Sequence, residues 1–275
     1  MKTSTQLKAV IRNLSKQKNV EAEIILRNFM LERLLERVSI SEYKYSFILK
    51  GGMLITAMVG IDTRTTMDLD ATIKGQTLTE TEIVDIVNEI ITIPVEDNVI
   101  FKFKGIEEIR EEADYPGYRV SIETLFDKTR QTIKVDITTG DFVTPREIEY
   151  RFNLLLEERE ISIMAYNIET VLAEKFESII TRGLTNTRMR DFYDIYILTM
   201  TQLFDIVIFH HALEKTALKR NTTEQMMNPD KTIQRIFASD IMIELWNRYQ
   251  KKYSYAVDIS WKMAIEALEK LVKKQ

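Results

Sequence analysis

Apolar residues recur at two different spacings along this chain, and the change in spacing predicts its architecture. In the first forty residues they repeat at helical spacing, which predicts two helices. Further along, short aromatic and aliphatic runs bounded by turn residues predict strands. These strands are expected at 45–49, 68–73, 99–104, 118–125 and 132–138, with helices between them near 53–59 and 79–91.

Beyond Pro145 the pattern changes, because nearly every later segment has helical periodicity and Gly almost disappears. A chain of 275 residues is long enough for two domains. We therefore predict an α+β fold, with a mixed domain over 1–145 that includes the N-terminal helices and an all-helical domain over 146–275.

Composition limits the possible functions. The longest uncharged apolar run, 53–61, is far too short to span a bilayer, and the chain has 0 Cys, which excludes disulfides and thiolate chemistry. We therefore expect a cytoplasmic protein with no membrane partner. The net charge of −4 argues against binding nucleic acid through overall charge alone. The candidate contacts are instead local basic clusters, such as Arg182 with Arg188 and Arg190.

The segment 64–73 carries the first candidate chemistry. In an extended strand Asp68 and Asp70 point to one side, while Leu69, Ala71 and Ile73 point to the other. The two Cα atoms would be roughly 6.5–7 Å apart, so a cation between the carboxylates would relieve their repulsion. This pattern favours a magnesium site, and the alternative is a solvated acidic strand.

Two further features support a nucleotide site. Gly51-Gly52 follows a predicted strand and precedes a helix, where backbone N–H groups can approach a phosphate. Thr66 shares the predicted face of Asp68, and its hydroxyl could bind a phosphate oxygen. The alternative for the glycines is an ordinary tight turn.

A third carboxylate strengthens the metal hypothesis. In the predicted strand 132–138, Ile133, Val135 and Ile137 form the buried face and Asp136 projects opposite. Three aspartates on sheet faces are the ligands expected for a hard divalent cation that binds nucleotide phosphates.

The predicted helix 167–182 places Lys175 within its apolar stripe. An inward lysine needs an anionic partner, and Asp191 or Asp194 on the following helix could pair with Lys175, Arg182 or Arg190. The alternatives are a lysine whose stem packs on the core and a purely structural salt bridge. His210 and His211 point about 100° apart on a helix and do not predict a zinc site.

These motifs together resemble the AbiEii/AbiGii-type nucleotidyltransferase toxins of bacterial type IV toxin–antitoxin and abortive-infection systems. The similarity runs over roughly residues 45 to 200. It rests on the following motifs: Lys50-Gly51-Gly52, Arg64-x-Thr66-x-Asp68-Leu69-Asp70, Val135-Asp136-Ile137, Glu174-Lys175 and Arg190-Asp191-Phe-Tyr-Asp194. The wider superfamily often has Gly-Ser where this chain has Gly51-Gly52, and many relatives have a hydroxyl residue in place of Met53.

The resemblance implies a DNA-polymerase-β-like core and a helical C-terminal domain that completes the active-site cleft. It also implies Mg²⁺ or Mn²⁺ as cofactor and an NTP as substrate. By resemblance, the metal ligands would be Asp68, Asp70 and Asp136, and the triphosphate would bind at Gly51, Gly52 and Thr66. Lys175 and Asp191 would face the nucleotide. The same nucleotide-binding set would include Arg64, Arg190 and Asp194.

The implied reaction transfers a nucleoside monophosphate to an acceptor hydroxyl at the 3′ end of transfer RNA and thereby blocks translation. A cognate antitoxin is the implied protein partner. Two alternatives stay open at this point. One is nucleotidyl transfer to a protein or small-molecule hydroxyl, and the other is a non-catalytic module that binds a partner.

Overall fold

The computed structural model describes residues 3–75, 78–109 and 117–272. The described residues fall into two compact units. The first lies within Met1–Asp141 and Glu147–Tyr166, and the second within Phe142–Arg146 and Asn167–Gln275.

The first unit combines helices with one sheet. Its α-helices are α1 (Ser4–Lys18), α2 (Ala22–Ile40), α3 (Gly51–Val59) and α4 (Glu80–Thr92). Its strands are β1 (Phe47–Lys50), β2 (Leu69–Ile73), β3 (Val99–Ile109), β4 (Gly117–Phe126), β5 (Thr129–Thr139), β6 (Ile148–Asn153) and β7 (Glu160–Ala165).

The second unit contains helices and no strand among its described residues. Its α-helices are α5 (Ile168–Arg182), α6 (Met189–Thr201), α7 (Ile206–Lys219), α8 (Pro229–Phe237), α9 (Asp240–Lys252) and α10 (Trp261–Val272). Its core includes Trp246 packed against Trp261 and Phe176 packed edge-on against Phe209. The α+β class predicted from sequence is confirmed.

The sheet is mixed, with strand order β3-β4-β5-β2-β1-β7-β6. The pairs β2–β5 and β1–β7 are parallel, and the other neighbours are antiparallel. The central position of β2, between β5 and β1, places the predicted acidic segment in the middle of the sheet.

Alternation along the central strands follows the sequence prediction. On β2, Leu69, Ala71 and Ile73 are buried, while Asp70 is only half-buried. On β5, Ile133 and Val135 are likewise buried, and Asp136 projects from the other face. The apolar side chains therefore anchor one face of the sheet to the core and leave the carboxylates on the other.

The predicted helix after the acidic strand is also confirmed. Thr79 caps α4 through a capping box, in which its hydroxyl accepts from the Glu82 backbone while the Glu82 carboxylate accepts from the Thr79 backbone. These hydrogen bonds satisfy backbone groups that the first turn of a helix leaves without partners, so the helix begins at Glu80.

The predicted domain boundary after residue 145 needs correction. Residues 148–153 and 160–165, which the sequence assigned to the helical domain, form β6 and β7 at one edge of the sheet. The main division between the units therefore follows Tyr166. Strand β7 joins the sheet by parallel pairing with β1, and β6 pairs with β7, so both segments belong to the first unit.

Helix α2 buries charged side chains as well as apolar ones. Arg33, Arg37 and Glu32 are all at most 4% exposed. Arg37 forms a bidentate pair with Asp97, and the carboxylate of Glu32 accepts from the backbone N–H of Leu155. Among the described residues, we find no helix with the length and apolar character needed to cross a membrane.

Candidate active site

Five charged side chains form a row across one face of the sheet in the first unit. Residues directly opposite each other on neighbouring strands project to the same face. In strand order, the row is Glu107, Arg119, Asp136, Asp70 and Lys50, each in register with the next. Charges alternate along this row except at the step between Asp136 and Asp70. Two carboxylates are neighbours there, so that step attracts positive charge.

Asp136 already has a cationic partner on β4. Arg119 donates from Nε to Oδ1 of Asp136 at 2.8 Å and from Nη2 to Oδ2 at 2.7 Å. These hydrogen bonds raise the pKa of the Arg119 guanidinium, and the nearby negative charge of Asp68 adds to the effect. The guanidinium of Arg119 therefore binds both carboxylate oxygens of Asp136, the third acid that the sequence predicts for the metal site.

Asp70 is in a less favourable electrostatic position. Burial raises the pKa of this carboxyl group, and the adjacent Asp136 raises it further. A hydrogen bond from the backbone N–H of Gly52 to Oδ2 at 3.1 Å acts in the opposite direction, as does the charge of Lys50. The ionised form of Asp70 is thus only partly compensated by its protein neighbours.

Positions 51 and 52 require glycine because their backbone lies too close to the predicted site residues to leave room for a side chain. Gly51 has φ of +61°, and a Cβ atom there would lie 2.2 Å from Oδ2 of Asp70. A Cβ atom at Gly52 would lie 2.6 Å from Oγ1 of Thr66 and 2.9 Å from Nη1 of Arg64. The backbone at the start of α3 therefore packs directly against the side chains that the sequence selected.

Thr66 and Asp68 lie in an irregular segment rather than in the predicted strand, because β2 begins only at Leu69. The Thr66 hydroxyl is buried and donates to the backbone carbonyl of Asp68 at 3.1 Å. The buried Arg64 donates to the carbonyl of Thr65 at 2.7 Å. The expectation that strand alternation alone aligns Thr66 and Asp68 with Asp70 is therefore wrong, and a hydrogen-bonded turn positions them instead.

The donor set suits a hard divalent cation. Asp68, Asp70 and Asp136 offer carboxylate oxygens, and Asp70 and Asp136 are direct neighbours across β2 and β5. Within the described ranges, no three acidic or histidine side chains converge closely enough to form a complete metal cage. The arrangement therefore provides carboxylate donors, one of which is engaged by Arg119.

Sequence reasoning missed Arg119 and a second polar cluster beside the glycines. Lys50 donates from Nζ to Oδ2 of Asp141 at 2.7 Å, and the Thr138 hydroxyl donates to the same oxygen at 2.6 Å. Lys50 belongs to the Lys-Gly-Gly motif, so its position was a usable signal. Asp141 lies beyond the end of β5, and only the fold brings it to Lys50.

The second unit carries the other predicted residues. Lys175 on α5 contacts Asp191 at 2.7 Å and Asp194 at 2.8 Å, so the predicted pairing of this inward lysine is confirmed for both acids. The Asp194 side chain has 0% exposure and that of Asp191 has 9%. Arg188 also approaches Asp191, with 3.5 Å between Nε and Oδ2. Asp191 therefore lies at the outer side of this cluster and Asp194 at its inner side.

Arg190 extends this cluster towards aromatic residues that the sequence analysis did not select. Its Nη2 donates to the Tyr253 hydroxyl at 2.8 Å, and its guanidinium carbon lies 5.0 Å from the ring centre. Tyr249 is packed against Tyr253, and burial raises its pKa. Tyr253 thus holds Arg190, and the only sequence signal was the density of tyrosines between 249 and 255.

Comparison with known proteins gives one family. The family model described as "Nucleotidyl transferase AbiEii toxin, Type IV TA system" matches residues 33–271. No curated protein sequence matches the chain significantly.

Two solved structures are similar to this chain at low sequence identity. The nucleotidyltransferase toxin MenT4 from Mycobacterium tuberculosis H37Rv is 14% identical, with 96% of this chain and 99% of that chain covered and a TM-score of 0.56. JHP933 from Helicobacter pylori is 18% identical, with 90% and 93% covered and a TM-score of 0.48. The similarity to MenT4 shows a shared fold.

Proposed function

Because this chain belongs to the AbiEii family of nucleotidyltransferase toxins of type IV toxin–antitoxin systems, we propose that it transfers a nucleoside monophosphate from an NTP to the 3′-terminal hydroxyl of transfer RNA in a Mg²⁺-dependent reaction. The acceptor oxygen forms a bond to the α-phosphorus, and the bond from that phosphorus to pyrophosphate breaks. The hydroxyl proton passes to a base, and pyrophosphate leaves. A modified 3′ end can no longer accept an amino acid, which explains toxicity.

The adjacent carboxylates of Asp70 and Asp136 carry this proposal. They lie directly opposite each other on β2 and β5, and a bound cation would relieve the repulsion between them. The two acids lie beside the glycine turn that begins α3, where the amides of a helix N-terminus favour phosphate. Acidic side chains and a phosphate-binding turn at one place are what a nucleotidyl transfer site needs.

The residues of the first unit would divide the work as follows. Asp70 and Asp136, which lie opposite each other on β2 and β5, would hold Mg²⁺ or Mn²⁺ together with Asp68 once the three carboxylates move closer than they lie in this structure. The cation would supply positive charge to neutralise the triphosphate. Asp136 would orient the attacking hydroxyl and accept its proton. Gly51 and Gly52 would let the triphosphate approach the backbone of α3, supported by the side chains of Thr66 and Arg64 behind them.

In the helical unit, Lys175 would supply positive charge to the nucleotide. Lys175 is positioned by Asp191 and Asp194, which limits its rotamers before the substrate arrives. A preorganised cation stabilises developing phosphate charge at little reorganisation cost. Arg190 would contact the nucleotide from the end of the cluster that Tyr253 holds.

The acceptor is tested directly by incubating the purified chain with labelled NTPs, Mg²⁺ and separate pools of transfer RNA, total protein and aminoglycosides. We expect label on the 3′ end of transfer RNA and loss of labelling when that end is oxidised with periodate. Label on protein or aminoglycoside alone would overturn the RNA acceptor and support the corresponding alternative substrate.

The role of the acids is tested by Asp70→Asn in the same assay and by growth arrest on expression in bacteria. The variant should abolish both labelling and arrest while the melting temperature stays at or above that of the wild type, because the amide keeps an acceptor for the N–H of Gly52 and removes the repulsion from Asp136. Asp62→Ala is a matched control that removes an exposed carboxylate paired with Lys18. Retained labelling in Asp70→Asn would contradict the proposed metal site. Coexpression of a cognate antitoxin should relieve the arrest.

A further inference from the structure

Arg119 lies between two acids in the charged row of the sheet. Its register partner on β5 is Asp136, and its register partner on β3 is Glu107. The Arg119 side chain is 30% exposed, and Glu107 is on the surface. The guanidinium therefore has room to move and a second acceptor on its other side.

The present partner of Arg119 is the acid that the proposed reaction needs. The fork of the guanidinium meets both oxygens of Asp136, at 2.8 and 2.7 Å. A divalent cation at Asp136 and Asp70 would place two positive groups on the same carboxylate. The two positive groups would repel each other, so a cation at Asp136 would weaken the contact between Asp136 and the guanidinium.

We propose that Arg119 is the exchangeable counter-ion of Asp136, which passes to Glu107 when a divalent cation binds at Asp136. This inference rests on the metal site of the proposed function. Arg119 is a positioning residue in this scheme, since it acts through Asp136. Before the cation binds, Arg119 neutralises the charge of Asp136. After the exchange, Glu107 neutralises the charge of Arg119.

The exchange is tested by Mn²⁺ binding to the purified full-length chain without nucleotide, measured from the electron paramagnetic resonance signal of free Mn²⁺. In Arg119→Met the competing cation is gone, and we expect Mn²⁺ to bind about tenfold more tightly. In Glu107→Gln the second acceptor loses its charge, so Arg119 stays on Asp136 and Mn²⁺ should bind several-fold more weakly.

Arg130→Met is the matched control for loss of one positive charge. Arg130 pairs with Glu123 across the same two strands, at 3.6 Å, and its side chain is 69% exposed. This variant should bind Mn²⁺ like the wild type. As a second readout, saturating Mn²⁺ should raise the melting temperature of Arg119→Met by more than that of the wild type, because ligand stabilisation grows with affinity.

The possible outcomes separate this inference from the proposed function. If Asp136→Asn weakens Mn²⁺ binding but Arg119→Met does not strengthen it, the exchange is wrong and the metal site stands. If Asp136→Asn binds Mn²⁺ as the wild type does, Asp136 is not a ligand and the metal site itself is wrong. Should Arg119→Met unfold, unchanged Mn²⁺ affinity in the surface variant Glu107→Gln would overturn the exchange independently.

Discussion

Gly51 and Asp70 lie in direct contact, so that a Cβ atom on the glycine would come within 2.2 Å of the aspartate carboxylate. The glycine also has a left-handed φ of +61°. A tight turn alone would explain the backbone angle. The contact ties this turn to the position of the acid on β2.

Gly51→Ala should therefore abolish nucleotidyl transfer and destabilise the protein, because both the backbone angle and the contact are violated. The strained angle alone costs about 1–3 kcal/mol. Gly75→Ala is a suitable control, since Gly75 has φ of +116° and no described atom lies within 4 Å of its Cβ position. Activity and melting temperature should distinguish the two. Equal losses in both variants would contradict a specific role for the contact with Asp70.

Gly52→Ala should act more locally, because this position has no left-handed φ and the added Cβ would meet the side chains of Thr66 and Arg64. We expect a several-fold rise in KM for the NTP with a smaller change in melting temperature than in Gly51→Ala. Steady-state kinetics with varied NTP check this. An unchanged KM together with a large loss of stability would assign Gly52 to packing alone.

Asp191 and Asp194 should differ in their effects, although both pair with Lys175. Asp194→Asn should lower the free energy of unfolding by about 1–3 kcal/mol, because its side chain is fully buried and its charge-assisted hydrogen bond is weakened. Asp191→Asn should lose more activity and less stability. Denaturant unfolding and label transfer are measured on both variants. A larger loss of stability in Asp191→Asn and a larger loss of activity in Asp194→Asn would contradict this assignment.

Glu32 should make stability depend on pH. Burial raises its pKa from 4.5 to about 8, opposed by the hydrogen bond from Leu155. Between pH 4.5 and about pH 8, Glu32 is protonated in the folded state and ionised in the unfolded state. Its contribution to the free energy of unfolding is therefore fully present below pH 4.5 and is lost as the pH rises to about 8. The maximum slope is about 1.4 kcal/mol per pH unit.

Glu32→Gln should remove that slope, because glutamine keeps an acceptor for the N–H of Leu155 and does not titrate. Denaturant unfolding of wild type and variant across this pH range is the measurement. The surface variant Glu158→Gln should leave the slope unchanged. Parallel profiles for wild type and Glu32→Gln would show that Glu32 does not set the dependence.

The central strands were accessible from sequence because their local pattern agrees with their environment. Leu69, Ala71 and Ile73 alternate with polar residues, and the sheet buries one face there. The strands β6 and β7 were missed although apolar residues alternate along both, at Ile148, Tyr150 and Phe152 and at Ile161 and Ile163. Their place beside β1 depends on pairing between distant segments. Helix α2 shows the opposite problem, since Arg33 and Arg37 have surface-type side chains and yet are buried in ion pairs.

The candidate site divides in the same way. Asp70 and Asp136 stood out because they alternate with apolar residues on predicted strands. Lys175 stood out because it interrupts the apolar stripe of a predicted helix. By itself, the sequence determined which residues alternate, which helix carries an inward lysine and where glycine permits close approach, since these depend on short-range backbone geometry. Only the tertiary structure decided that Arg119 holds Asp136, that Lys50 meets Asp141 and that Asp70 faces Asp136. Those relationships depend on strand order and register, which arise from contacts between segments distant in the chain.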